Sequence, residues 1–111
     1  MADIKKYFVK DSMRFNLDGM RDHVRLIWFA FNNGESNEQV VCCGKTLRSA
    51  EDAQNLIDEI DALLWEGRRG SKVDGRTYGR IKQISDERNW WRFNVNVASG
   101  MDEDRATYAF M

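Results

Sequence analysis

The sequence contains no proline, one histidine and two cysteines among its 111 residues. With His23 as the single histidine and no second pair of cysteines, the sequence disfavours the usual zinc sites. The same scarcity leaves no serine or cysteine with an evident base for nucleophilic catalysis. The absence of proline removes one of the residues that normally protect the edge strands of a sheet. We therefore expect no enzyme activity, no metal and no cofactor.

Long apolar segments are also missing. No window approaches the roughly 20 apolar residues of a membrane-spanning helix. The N-terminal residues have no apolar run of the kind found in secretory signals. A composition of 42% hydrophobic and 32% charged residues is typical of a folded soluble protein. We expect a single domain over residues 1–111, located in the cytoplasm and without membrane contact.

Basic and acidic residues are nearly equal in number but are unevenly distributed along the chain. The net charge is −1. Residues 49–66 contain six acidic residues and no basic one, whereas residues 67–92 contain eight basic residues and three acidic ones. Such internal polarity determines which charged partners a surface can attract more than the net charge does.

Residues 49–66 have the one clear helical pattern. Ser49 is a suitable N-cap, and Gly67 suits the position after the last helical residue. The apolar residues recur with helical spacing and form one stripe, which consists of Ala53, Leu56, Ile57, Ile60, Leu63 and Leu64. The opposite face of this helix is almost wholly acidic.

The rest of the chain has strand-like patterns. Three such segments precede the helix and three follow it: residues 6–17, 23–31, 39–43, 77–84, 90–97 and 105–110. The order βββ-α-βββ predicts an α+β fold in which a mainly antiparallel sheet of five to six strands packs on one helix. One helix is too narrow to cover a flat sheet of that width. We therefore expect a curled sheet, with a homodimer that covers the remaining apolar strip as the alternative.

Two adjacent tryptophans lie in the segment ERNWWRFNVNV, residues 87–97. On a strand, neighbouring side chains point to opposite faces. Trp91 then belongs to the core, and Trp90 lies between arginines on the polar face. The preceding strand adds basic and aromatic side chains to that face, and residues 67–76 form a basic loop beside it. The predicted surface consists of Tyr78, Arg80, Lys82, Arg88, Trp90 and Arg92.

Aromatic side chains among basic ones suit several functions. Trp, Tyr and Arg dominate the energetics of protein interfaces, so our main hypothesis is a non-enzymatic module that binds a protein partner. Single-stranded nucleic acid binding is the alternative, because bases stack on aromatic rings while arginines contact phosphates. The same face can also be a solvated sheet surface, with Trp90 covered by arginine stems. A small enzyme with an unrecognised pocket is the remaining hypothesis.

The acidic helix face offers a second surface, formed by Asp58, Glu59, Asp61 and Glu66. Most such faces are simply solvated, but this one can also occupy a basic groove on another protein. In its size, its polarised charge and its lack of catalytic groups, the chain is similar to the small proteins with which phages and mobile elements block host machinery. That similarity rests on general character rather than on a motif, and it implies inhibition by steric and electrostatic contact.

Cys42 and Cys43 are adjacent in the sequence. If both lie on a strand, their side chains point to opposite faces, so we expect one buried thiol and one nearer the surface, both reduced. The separation of adjacent Cα atoms is below the usual range for disulfides. A strained disulfide between the two, acting as a redox switch, is the alternative.

Overall fold

The computed structural model describes residues 5–98 and the side chains of residues 5–94. It contains three helices, which are α1 (Asp11–Asn32), α2 (Ala50–Glu66) and α3 (Gly75–Ala98). Four short strands accompany them: β1 (Lys6–Phe8), β2 (Val40–Cys42), β3 (Lys45–Leu47) and β4 (Lys72–Asp74). β1 pairs with β4 and β2 pairs with β3, both antiparallel. None of the three helices has the length and apolar composition that crossing a membrane requires.

The predicted sheet of five to six strands is wrong for the described residues, which form two separate two-stranded sheets. Residues 39–43 coincide largely with β2, but residues 23–31, 77–84 and 90–97 are helical. The last predicted strand, residues 105–110, lies outside the described residues. Since no wide sheet is formed by residues 5–98, the homodimer loses its geometric argument and stays a prediction.

The helix predicted over residues 49–66 is confirmed as α2. Ser49 is its N-cap, and the Ser49 hydroxyl accepts a hydrogen bond from the backbone N–H of Asp52 (3.3 Å). Gly67 follows the last helical residue with a φ of −90°, which lies outside the left-handed region. Glycine is needed there for a different reason, because a Cβ would lie 2.8 Å from Cγ2 of Val9. The predicted stripe faces the core and is buried at Ala53, Leu56, Ile57, Ile60 and Leu63.

α1 is one helix that covers most of residues 6–17 and all of residues 23–31, where two strands were predicted. Its buried and half-buried apolar residues recur every three or four positions, at Met13, Leu17, Met20, Val24, Ile27 and Phe31. Alternating apolar residues around Phe15 concealed this helical period, and Phe15 is in fact exposed. Asp18 and Gly19, between two of the predicted strands, lie inside the helix. Gly19 instead allows a close helix contact, because a Cβ there would lie 2.6 Å from Nε of Arg88.

α3 is also one helix, although two strands were predicted there, at residues 77–84 and 90–97. Only a short part of it has a clear apolar period, in which Ile81 and Ile84 are fully buried. The β-branched, aromatic and asparagine residues of this region favour strands and turns by propensity, and tertiary packing overrides that preference. The six residues of the predicted basic face therefore lie on one helix rather than on paired strands: Tyr78, Arg80, Lys82, Arg88, Trp90 and Arg92.

The start of α3 carries a local signal for a helix. Asp74 precedes the first helical residue, and its carboxylate accepts a hydrogen bond from the backbone N–H of Thr77 (2.8 Å). This arrangement is that of an N-cap. The hydrogen bond from Thr77 lowers the pKa of Asp74. The glycine that follows Asp74 suggested a loop in the sequence, which concealed the cap.

α1 packs against both other helices. It is antiparallel to α2, since Arg14 donates to the carbonyl oxygen of Gly67 (3.3 Å) and Arg21, further along α1, pairs with Asp61 (2.6 Å). The core lies among the helices and is closed by the β2–β3 hairpin. Its largest fully buried side chains are those of Leu17, Met20, Val24, Cys43, Leu47, Ile60, Ile81 and Ile84. Burial of this apolar surface is the main stabilising term of the fold.

α1 and α3 advance in the same direction. Asn16 donates hydrogen bonds to Oγ of Ser85 (2.9 Å) and to Oδ1 of Asn89 (3.0 Å), and further along both helices His23 packs against Trp91. Asn16 and Ser85 are both buried. Their hydrogen bond satisfies two polar groups that burial would otherwise penalise, and it fixes the register between the helices.

A two-residue turn at Cys43 and Gly44 joins β2 to β3. Both residues have positive φ, +55° and +75°, as in the type I′ turns of tight hairpins. This turn brings the Sγ atoms of Cys42 and Cys43 to 3.7 Å from each other. Both cysteines are free and both are buried. The prediction that one of the two thiols lies nearer the surface is therefore wrong, because Cys43 lies in the turn rather than on an extended strand.

Candidate functional site

The predicted basic residues are distributed along α3. Tyr78, Arg80 and Lys82 lie in its first half, whereas Trp90 and Arg92 lie in its second half. Since a helix rises about 1.5 Å per residue, roughly 18 Å of helix axis separates Tyr78 from Trp90. The two groups therefore do not form a single surface.

Arg80 connects three parts of the fold. Its guanidinium donates to both carboxylate oxygens of Glu59 (2.7 and 3.0 Å) and to the carbonyl oxygen of Cys43 (2.6 Å). The hydrogen bonds between the side chains lower the pKa of Glu59 and raise the pKa of Arg80. α2, α3 and the hairpin turn meet at this group, so Arg80 has a structural role, and its contact with a partner stays a prediction.

Tyr78 and Lys82, the other predicted residues in the first half of α3, have different surroundings. Tyr78 stacks on Tyr7 of β1, with ring centroids 4.8 Å apart, and packs against the core. Lys82 is exposed. Tyr78 thus connects α3 to the β1–β4 sheet, and Lys82 remains on the solvent side of the helix.

Three large aromatic side chains are exposed on the second half of α3 and the first half of α1. Phe15 is 64%, Trp90 62% and Trp91 42% exposed. The Arg88 guanidinium lies 5.7 Å from the ring of Trp91, and that of Arg92 lies 5.9 Å from the ring of Phe15. We call these five residues the aromatic–arginine surface.

Helical geometry explains why both indoles are exposed. Adjacent residues on a helix are about 100° apart, not on opposite faces. Trp91 packs on His23 of α1, with centroids 4.0 Å apart, while Trp90 stacks on Phe93 at 5.5 Å. The predicted exposure of Trp90 is confirmed. The predicted core position of Trp91 is wrong, because it lies at the edge of the α1–α3 contact.

The aromatic–arginine surface carries two guanidinium groups, those of Arg88 and Arg92. Burial lowers the pKa of Arg88, the nearby charge of Arg92 lowers it further, and Asp22 acts in the opposite direction. No ion pair among the described residues includes Arg88 or Arg92. The buried Nε of Arg88 also has no hydrogen-bond partner in the described part of the chain. Burial and Arg88 lower the pKa of His23, so the neighbouring imidazole is neutral at pH 7.

The second predicted surface was the acidic face of α2, with Asp58, Glu59, Asp61 and Glu66. Basic side chains from the other helices engage two of these carboxylates. Arg80 binds Glu59, and Arg21 pairs with Asp61 at 2.6 Å. The remaining two are exposed. Ion pairs therefore divide this face, and it does not present a continuous anionic surface.

A further basic surface lies around β1, β4 and the end of α2, and it includes part of the basic loop at 67–76. Phe8 is 59% and Trp65 68% exposed. Lys72 Nζ lies 4.8 Å from the Phe8 ring, and the Arg68 guanidinium lies 4.3 Å from the Trp65 ring. An open groove of about 300 Å³ beside them is lined in part by Lys6 and also by the acidic residues Glu66 and Asp74. We call the two aromatic and the three basic residues the basic end.

The sequence contains a pattern from which the exposure of Phe8 and Trp65 could have been predicted. Trp65 falls outside the apolar stripe of α2, and Phe8 has the opposite parity to Tyr7 and Val9. A large apolar residue outside the core register is expected at the surface. Phe15 carried no such signal, because the alternating pattern placed it with the core residues.

A groove of about 410 Å³ lies between β3 and α2. Charged and amide side chains line part of it, including Lys45, Asp52, Asn55 and Glu59. Glu59 is already bound by Arg80. The groove does not identify a reaction, and the enzyme hypothesis stays a prediction.

Comparison of the chain with protein-family models, curated proteins and solved structures gives no significant match. The two exposed surfaces therefore have to be interpreted from their own geometry and charge.

Proposed function

We propose that the protein is a non-enzymatic binding module that acts by occupying the surface of another protein, with the aromatic–arginine surface as its contact. The observation that carries this proposal is the joint exposure of Phe15, Trp90 and Trp91 on two adjacent helices. Exposed apolar patches rimmed by polar residues mark interaction sites. Tryptophan and arginine are also enriched among the residues that dominate binding energy.

The expected partner presents an apolar patch flanked by carboxylates. Arg92 disfavours the charge of Arg88, and a carboxylate placed between the two guanidinium groups removes that repulsion. Complementary charge of this kind speeds association and makes it sensitive to salt. Steric blocking of a larger machinery, as practised by inhibitors from phages and mobile elements, is one form of this activity. A reducing compartment such as the cytoplasm suits the two free cysteines.

Single-stranded nucleic acid binding is a second candidate, and the basic end supports it. Phe8 and Trp65 offer exposed rings on which bases can stack. Lys6, Arg68 and Lys72 supply positive charge for phosphates beside these rings. The two candidates use different surfaces, so single substitutions can separate them.

Affinity purification of the tagged protein from its native host, followed by mass spectrometry, tests the first candidate. Trp90→Ala and Trp65→Ala form a matched pair, because the two indoles are 62% and 68% exposed on different surfaces. We expect Trp90→Ala to weaken partner binding by about tenfold or more, as hot-spot residues do, and Trp65→Ala to leave it intact. Equal partner capture by the wild type and Trp90→Ala contradicts the assignment of the surface.

Binding of a labelled single-stranded oligonucleotide at low salt tests the second candidate. If the basic end binds it, affinity falls steeply with salt, and Trp65→Ala weakens it while Trp90→Ala does not. No detectable binding at low salt eliminates nucleic acid as a ligand. Weakening by Trp90→Ala alone assigns the oligonucleotide to the aromatic–arginine surface instead.

A further inference from the structure

The hairpin turn and α3 bring together three groups that can ligate a metal. The Sγ atoms of Cys42 and Cys43 and a carboxylate oxygen of Glu87 all lie within 4.8 Å of one another. Glu87 is 44 residues from Cys43 in the sequence. Both thiols are buried, and Glu87 is half-buried at the rim of the cluster.

The distance between the two sulfur atoms suits one particular coordination geometry. With metal–sulfur bonds of about 2.3 Å, a tetrahedral ion holds two thiolates about 3.8 Å apart. The observed separation is 3.7 Å. A linear two-coordinate ion needs about 4.6 Å from the same bond length. The positive φ of Cys43 produces this pairing, because it points both thiols to one side of the turn.

Glu87 is held in place by the backbone of the turn. One of its carboxylate oxygens accepts a hydrogen bond from the N–H of Cys43 (2.7 Å). Hydrogen bonds of this kind orient ligating carboxylates in metal sites. Arg80 approaches the same turn through the Cys43 carbonyl, but its guanidinium is paired with Glu59. Its charge is therefore balanced by a carboxylate outside the cluster.

We propose that Cys42, Cys43 and Glu87 form a binding site for a thiophilic divalent cation of the Zn²⁺ type, with a fourth position open for water or another ligand. Thiolates select such ions over Mg²⁺ and Ca²⁺, which prefer oxygen ligands. The thioether of Met20, whose Sδ lies 3.7 Å from Cys42 Sγ, adds to the soft surroundings. The site is separate from both proposed binding surfaces.

Without a cation, the surroundings of Cys43 favour the protonated form of its thiol. The hydrogen bond with Cys42, burial and the carboxylate of Glu87 together raise the pKa of Cys43. Cysteine binds metal ions as the thiolate, so affinity is expected to fall as the pH is lowered. If the two sulfur atoms form only an S–H···S hydrogen bond and no metal site, the protein takes up no metal at any pH.

Titration of the reduced full-length protein with Cd²⁺, followed by ultraviolet sulfur-to-metal charge-transfer absorption, tests the proposal. We expect one equivalent per chain, displacement by Zn²⁺, and loss of the absorption in Cys42→Ser and Cys43→Ser. Glu87→Gln should weaken Cd²⁺ binding by about tenfold or more. Asp86→Asn, an exposed neighbour on α3, serves as the matched control and should bind like the wild type.

Circular dichroism of each variant separates loss of the site from loss of the fold. If a cysteine variant unfolds, Glu87→Gln carries the test, because it keeps both thiols. No charge-transfer absorption with stoichiometric Cd²⁺ overturns the site. Unchanged affinity in Glu87→Gln overturns the three-ligand site. Zn²⁺ should also raise the Tm of the wild type and leave that of the cysteine variants unchanged.

Discussion

The two halves of α3 differ in what covers them. In the first half, Ile81 and Ile84 are fully buried and Ser85 is 3% exposed. In the second half, Trp90 and Trp91 are 62% and 42% exposed. One continuous helix therefore completes the core with one half and presents large aromatic rings to solvent with the other.

The arrangement of the helices explains this difference. α1 packs against both α2 and α3, while α2 and α3 are joined through the ion pair of Arg80 and Glu59. Beyond Asn89, α3 rests on α1 through the contact of Trp91 with His23. The exposed rings lie where packing against α1 alone leaves part of the helix uncovered. Stability and binding are thus expected to depend on different halves of α3.

The largest expected effect on stability comes from the first half of α3. Ile84→Ala should lower the free energy of unfolding by about 2–5 kcal/mol, because it leaves a cavity in the core. Denaturant unfolding measures this change. Leu26→Ala, at a residue that is 68% exposed on α1, is the matched control and should change stability by no more than about 0.5 kcal/mol. A small loss in Ile84→Ala would show that the first half is not part of the core.

The next largest expected effect on stability comes from the contact between α1 and α3. Asn16→Ala should cost about 1–3 kcal/mol, because the buried hydroxyl of Ser85 loses its partner. Asn55→Ala, at an exposed position of α2, controls for the loss of an amide from a helix. If Asn16→Ala and Asn55→Ala unfold at the same denaturant concentration, the proposed register between α1 and α3 is incorrect.

The ion pair between α2 and α3 should have a smaller, pH-dependent effect. Glu59→Gln should cost about 1–2 kcal/mol at pH 7, a value reduced by solvent screening. Hydrogen bonding to Arg80 lowers the pKa of Glu59 in the folded state. Its contribution is therefore complete above the usual pKa of glutamate and is lost as the pH falls through the lowered value.

Unfolding measured between pH 7 and strongly acidic pH checks this linkage. The wild type and Glu59→Gln should converge in stability as the pH falls. Asn55→Ala, at an exposed and uncharged position on the same helix, should show no comparable convergence. A constant difference between the wild type and Glu59→Gln at every pH rules out a charged pair as the cause.

Predictability from the sequence differs between the elements for physical reasons. α2 has a single apolar stripe, an N-cap at Ser49 and a glycine after its end, and these signals agree with one another. α1 has the same period, but Phe15 between core residues also fits an alternating pattern. α3 has β-prone residues and a short buried segment, so only the cap at Asp74 indicates its helical state.

The candidate sites were predictable only where they depend on single residues. The exposure of Trp90 follows from its charged neighbours on either a strand or a helix. The position of Trp91 depends on the type of element, so the strand assignment gave the wrong result. The cluster of Cys42, Cys43 and Glu87 requires the hairpin to dock on α3, and no local pattern contains that contact.

The division of α3 into a structural half and a binding half is tested most directly by comparing the unfolding free energies of Trp90→Ala and Ile84→Ala. Trp90→Ala should differ from the wild type by no more than about 1 kcal/mol, since the indole is largely exposed. Ile84→Ala should lose about 2–5 kcal/mol in the same denaturant experiment. Equal losses in the two variants would contradict the division and remove the reason to regard Trp90 as available to a partner.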